Sequence, residues 1–157
     1  MYGGASYLIA ALLAVALVRA AWGDLQSRTI PNWLNIAIAA GAPLWWWASG
    51  WAIWPDVAIQ IGFAVGIFAI FAFCFAIGAM GGGDVKLITA LSLWLPFVAL
   101  TQMLFVMAVL GGIVTLITLI IHKLRKHPGA PEVPYGVAIS IAGLWVFAND
   151  LLTIPGS

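Results

Sequence analysis

Residues 87–121 form a run of 35 positions without one charged side chain. As a single α-helix that run would be about 52 Å long, against a hydrocarbon core of about 30 Å. Pro96, near its middle, has no N–H to give to a helix. The run therefore divides into a short span and a full one, residues 101–121. Other apolar runs cover residues 4–22, 33–49, 57–80 and 133–147, so the count is six. With 64% hydrophobic and only 7% charged residues, the chain falls far from soluble domains, which carry about a quarter charged residues. The expected fold is all-α: a polytopic membrane bundle of six transmembrane helices, one integral-membrane domain over residues 1–157.

Charge placement bears on that count. With six crossings, the connections after the first, third and fifth spans lie on one side. Arg19, Arg28, Lys86, Lys123, Arg125 and Lys126 then share that side, and they are every Lys and Arg present. The positive-inside rule makes it cytoplasmic and puts both termini on the outer, periplasmic side. If residues 87–121 crossed only once, Lys86 and the 123–126 cluster would be separated. Trp45, Trp46, Trp47, Trp51 and Trp54 gather at the outer end of the second span, while Trp22 and Trp33 flank the first inner connection. Indoles favour the headgroup level, so these read as interface belts. The N-terminal residues carry no basic region, and Arg19 follows the first apolar run instead of preceding it, so that run reads as a retained span.

Several functions lose their support. A net charge of +1 without a dense Lys/Arg segment excludes a nucleic-acid surface. The one cysteine, Cys74, sits in an apolar run and reads as a small hydrophobe, with neither an intrachain disulfide nor a cysteine zinc site. His122 and His127, five apart in a basic loop, are weak metal ligands, so no metal and no cofactor is expected. The glycine run before Lys86 lacks phosphate-loop spacing, and no Gly-x-Ser-x-Gly is present. Asp56 and Asp150 read as solvated outer helix ends, and Glu132 as a residue of a Pro-rich turn.

Asp24 and Asp84 remain. They follow the first and third spans, so both lie at the cytoplasmic edge. Neighbouring first and third helices would let the two carboxyls share a proton and hold a water, one as general base, the other polarising a carbonyl. Gly81, Gly82 and Gly83 allow the backbone before Asp84 to leave helical geometry and approach a substrate. Each Asp has a plainer reading. Asp84 can cap the fourth helix, and Asp24 can pair with Arg19 or Arg28. Lys86 can mark the inner face or favour ionised Asp84. Pro31 suits the first turn of the second helix, with its cap near Thr29 or Ile30.

Asp24-Leu-Gln-Ser-Arg-Thr-Ile-Pro31-Asn32 followed by Gly81-Gly-Gly-Asp84-Val-Lys86-Leu resembles the type IV prepilin peptidases. The glycines and Asp84 also match the Gly-x-Gly-Asp signature of wider intramembrane aspartyl proteases. The resemblance is nearest to the small form serving tight-adherence (Flp-type) pili, and Val133-Pro134-Tyr135-Gly136 at the last helix agrees with it. It implies an aspartic endopeptidase of the bacterial inner membrane. Such an enzyme removes the basic leader of prepilins or pseudopilins on the cytoplasmic side, for pilus assembly or protein secretion. The catalytic residues would be Asp24 and Asp84, with Gly81, Gly83 and Lys86 supporting the loop and substrate. Larger members insert a cysteine-rich domain between the first two helices and also N-methylate. Here that connection is short, so proteolysis without methyl transfer is the expectation. Ser92 replaces a common Gly, an effect expected on packing alone. The substrate's apolar helix would enter laterally, leaving its leader junction at the edge where water reaches. Two rival readings stand: a transporter or channel subunit using both Asp as cation or proton sites, and a non-enzymatic assembly protein.

Overall fold

The structure, a computed structural model, describes residues 4–125 and 133–153. Lys126, His127 and Glu132, discussed above, lie outside the described residues. Within them are helices and turns, with no strand. The helices are α1 (Gly4–Ser27), α2 (Asn32–Ala48), α3 (Ala58–Ala76), α4 (Gly82–Ser92), α5 (Phe97–Arg125) and α6 (Tyr135–Thr153). A wide helical turn, Ile53–Val57, leads into α3. Three stretches are long and apolar enough to cross a membrane: Gly4–Ser27, Ile53–Ala76 and Phe97–Arg125; Tyr135–Leu151 is a shorter apolar helix. The 11 residues of α4 rise only about 16 Å, roughly half a hydrocarbon core.

The long uncharged run breaks where Pro96 requires it. Leu93 and Trp94 turn back to the carbonyls of Ala90 and Leu91, and α5 begins at Phe97. Three of the boundaries that differ from the sequence expectation have a local cause. First, α1 runs past residue 22 to Ser27, because Ser27 Oγ donates to Gly23 O and Arg28 N–H to Asp24 O. It stops where Arg28 enters the left-handed region at φ 53°. Asp24 is thus inside the last turns of a helix instead of after it. Second, α3 ends at Ala76, where Gly78 at φ 75° lets the Gly78 and Ala79 N–H groups bond back to Phe75 and Cys74. Third, Pro31 is itself the cap of α2, one place before its first residue, with no N–H to leave unpaired.

The packed helix pairs are α1–α2, α1–α6, α2–α4, α3–α4, α4–α6 and α5–α6. The expected α1–α3 neighbourhood is absent from this set. Instead α4, short and almost wholly buried, sits in the middle against α2, α3 and α6. Leu87, Ile88, Leu91 and Leu95 from this segment are fully buried with Leu17, Met103, Ile139 and Val146. Small residues line the seams, with Ala20, Ala42, Ala138 and Ala142 all at 0% exposure. Close backbone approach is what drives helix association in lipid, where burial of apolar surface gives little. Large apolar side chains such as Val15, Ile36, Phe73, Phe105 and Leu124 face outward, as lipid contact demands.

The tryptophan belt needs a correction. Trp22, Trp33, Trp47 and Trp54 are exposed. Trp45 is only 2% exposed, its ring 5.0 Å from Phe147 and 6.0 Å from Trp94. Trp46 Nε1 donates to Leu93 O at 2.8 Å, and Trp94 Nε1 to Ile38 O at 2.9 Å. Trp46 and Trp94 help close the core, each donating its indole N–H to a backbone carbonyl of another segment. Gln60 on α3 likewise donates to Ser92 O and Leu95 O, fastening the break between α4 and α5. Ser92 is fully buried and bonds back to Thr89 O at 2.6 Å, a packing role like that expected of it.

Candidate active site

Asp24 and Asp84 meet although 60 residues separate them in sequence. They approach closely enough to act on each other electrostatically. Asp24 comes from the end of α1 and Asp84 from the first turn of α4. Both are nearly buried, at 4% and 8% exposure. A carboxyl taken out of water needs donors, and each one finds them at a helix N-terminus.

For Asp24 that helix is α6. Val137 N–H donates to Asp24 Oδ2 at 3.2 Å, with the Gly136 N–H directed at the same carboxyl. Gly136 makes the contact sterically possible. A Cβ there would stand 2.9 Å from Asp24 Cγ and 2.8 Å from Ile30 Cδ1. For Asp84 the helix is its own. Gly81 caps α4, and Asp84, three residues on, receives the Gly81 N–H. A Cβ on Gly81 would come within 3.0 Å of Asp84 Oδ2. The capping alternative and a chemical role therefore coexist in one side chain.

Ile30 holds the two halves in register. Its backbone and Cβ lie 3.4–3.5 Å from where a Cβ of Gly83 would stand, and its Cδ1 rests on Gly136. The short connection from α1 to α2, residues 28–31, is what brings Ile30 there. Asn35 adds a tie from α2, with Nδ2 donating to Gly83 O at 3.4 Å. Asn35 Oδ1 is buried with no partner.

Two carboxyls within electrostatic reach of each other cannot both ionise easily, so one can hold a proton while the other takes one from water. Lys86 does not serve the pair directly. Its Nζ donates to Asn32 Oδ1 at 2.8 Å, on the neighbouring helix. Among the described residues, no cluster of three His, Cys, Asp or Glu side chains is placed to hold a metal.

Of the sequence-selected residues, Asp24, Asp84, Gly81 and Gly83 come together, while Lys86 turns to a groove beside them. Sequence reasoning missed Gly136, Ile30 and Asn35 as members of the site. A glycine after Pro134-Tyr135 was visible as a helix opening, but nothing local announced that Asp24 would lie on it.

Residues 11–116 match the model of the type IV leader peptidase family, a stretch that contains both Asp24 and Asp84. The chain belongs to that family. It is 33% identical over 143 residues to a prepilin leader peptidase/N-methyltransferase of Aeromonas salmonicida (strain A449), covering 88% of this chain and 48% of the relative. A protein of the same name from Burkholderia pseudomallei (strain 1026b) is 29% identical over 159 residues, covering 95% of this chain and 48% of the relative. One from Pectobacterium carotovorum is 28% identical over 146 residues, covering 90% and 50%. The chain thus spans about half the length of the curated relatives it matches. No solved structure matches it.

Proposed function

We propose that this chain is an aspartic endopeptidase that hydrolyses the leader of prepilin or pseudopilin substrates at the cytoplasmic face of the bacterial inner membrane. The observation that carries the reading is the meeting of Asp24 and Asp84 at two helix N-termini, inside a chain of the type IV leader peptidase family. One of the two carboxyls carries the proton and polarises the scissile carbonyl, and the other takes a proton from the attacking water. Gly81 and Gly83 leave room for an extended backbone beside the pair, and Lys86 contacts substrate from the adjoining groove. In this proposal the 157 residues act as one six-span membrane domain with both termini outside. The basic residues on one side support that sidedness. The reaction is hydrolysis alone, and the four residues 28–31 leave no insertion between α1 and α2. The small, tight-adherence form is the subtype this short connection suits.

The test is co-expression with a short prepilin whose apolar segment follows a basic leader, reading substrate size on a gel. Wild type removes the leader, while Asp24→Asn and Asp84→Asn leave the precursor intact. Cleavage surviving in both variants would end the proposal in favour of a transporter or an assembly protein. Thiol labelling of a cysteine placed at position 56 in a Cys74→Ser background reads the sidedness. Labelling from the cytoplasm overturns the six-span orientation.

A further inference from the structure

Neither residues 29–85 nor residues 87–121 contain a Lys, Arg or His. Asp56 lies in the first of these runs. It is exposed, and its Oδ2 accepts the neutral Ala52 N–H at 3.1 Å. It lines a pocket of about 290 Å³ where the turn Ile53–Val57 and the start of α3 meet the Pro96 break between α4 and α5. Trp51, Phe63 and Phe97 bring rings to that pocket, and Gln60 brings an amide. Every lining residue falls in one of the two runs free of basic side chains. We propose that this pocket binds the ammonium headgroup of phosphatidylethanolamine. The inference stands apart from the endopeptidase reading above and does not need it.

Three observations select this occupant. The first is charge. A carboxylate and aromatic rings both attract a cation, and the segments around Asp56 supply none. The second is the set of acceptors. Gln60 is 4% exposed, and its Nε2 donates to both Ser92 O and Leu95 O. Both amide hydrogens are thus spent, which leaves Oε1 as an acceptor on a side chain of the pocket. A primary ammonium has three N–H donors for Asp56 and Gln60, whereas a trimethylated one has none. A bare Ca²⁺ takes about six to eight oxygens. Here one carboxylate and one amide stand together, and no cluster of three His, Cys, Asp or Glu occurs among the described residues.

The third observation is depth. The apolar stretch Ile53–Ala76 has 24 residues. As a helix it is about 36 Å long, against a hydrocarbon core of about 30 Å, so its ends reach the headgroups. Asp56 is in the first turn of that stretch. Ile53, Trp54, Ile59 and Phe97 around it are each more than half exposed. A headgroup held at Asp56 therefore has apolar surface beside it for its acyl chains, which a free ammonium ion would leave uncovered.

The test uses the whole protein, delipidated in detergent and titrated with single phospholipids of identical acyl chains. Bound lipid is counted by native mass spectrometry. Phosphatidylethanolamine should bind about tenfold tighter than phosphatidylglycerol or phosphatidylcholine. Asp56→Asn keeps an acceptor for the Ala52 N–H and should bring the three lipids within about twofold of one another. Ile59→Lys places an ammonium on the pocket wall and should do the same without altering the turn, so the test survives if Asp56→Asn fails to fold. Equal binding of the three lipids by wild type overturns the inference, as does a preference that persists in either folded variant. Displacement of the lipid by an equal concentration of free ethanolamine would make this a small-cation site, and displacement by Ca²⁺ a metal site. Either result overturns the assignment to a phospholipid.

Discussion

The two ends of the α2–α4 pair are built on opposite principles. At one end Trp45, Trp94 and Phe147 pack ring on ring, and Trp46, Trp94 and Gln60 each bond to a carbonyl. At the other end two carboxyls are buried together and Asn35 Oδ1 lacks a partner. The first end gives the Trp46, Trp94 and Gln60 donors their carbonyls and holds the bundle closed. The second leaves charge repulsion and an unmet acceptor in place, which a structure retains only where surrounding contacts enforce it. The stable end is what lets the costly end persist.

The largest effect expected from that contrast is kinetic. Asp24→Asn or Asp84→Asn should lower leader cleavage by about a thousandfold, within the range for loss of a general acid or base. Thermal unfolding in detergent should not fall, since each substitution removes a repulsion. A variant that unfolds instead would make the pair structural. Trp94→Ala should do the reverse. It empties the closed end and should lower stability by on the order of 3 kcal/mol, read by equilibrium denaturation. The cleavage rate per folded molecule should stay within a fewfold of wild type; a rate collapse without destabilisation would dissolve the distinction between the ends.

Gly136→Ala tests the join between them. Its Cβ would press on Asp24 Cγ and Ile30 Cδ1, at 2.9 and 2.8 Å, and displace the carboxyl from Val137 N–H. About a tenfold drop in kcat with KM little changed is expected, as for a misplaced reacting group. Gly62→Ala, which meets open space on α3, serves as the control with activity kept.

Asp24 and Asp84 were legible because a charge stands out in an apolar chain, and Gly81 and Gly83 because they directly precede one of those charges. The break at Pro96 followed from a missing N–H. The reach of α1 to Ser27 was not legible, since it depends on Ser27 Oγ and on Arg28 taking a left-handed backbone. Trp45 and Trp46 misled for a related reason. An indole in a membrane chain suits the headgroups or a buried carbonyl equally well, and only the neighbour decides.

Composition, the spacing of charges and one proline determined that this chain is a helical membrane protein with two notable carboxylates. Those properties are set by solvation and by backbone hydrogen bonding, which act locally. Which helices touch was left to the tertiary structure. It placed α4 between α2, α3 and α6 where an α1–α3 contact had been expected, and laid Asp24 on Gly136, 112 residues away. That choice turns on side-chain shape across helix seams, where a single Cβ separates contact from clash, and no local pattern in the sequence records it.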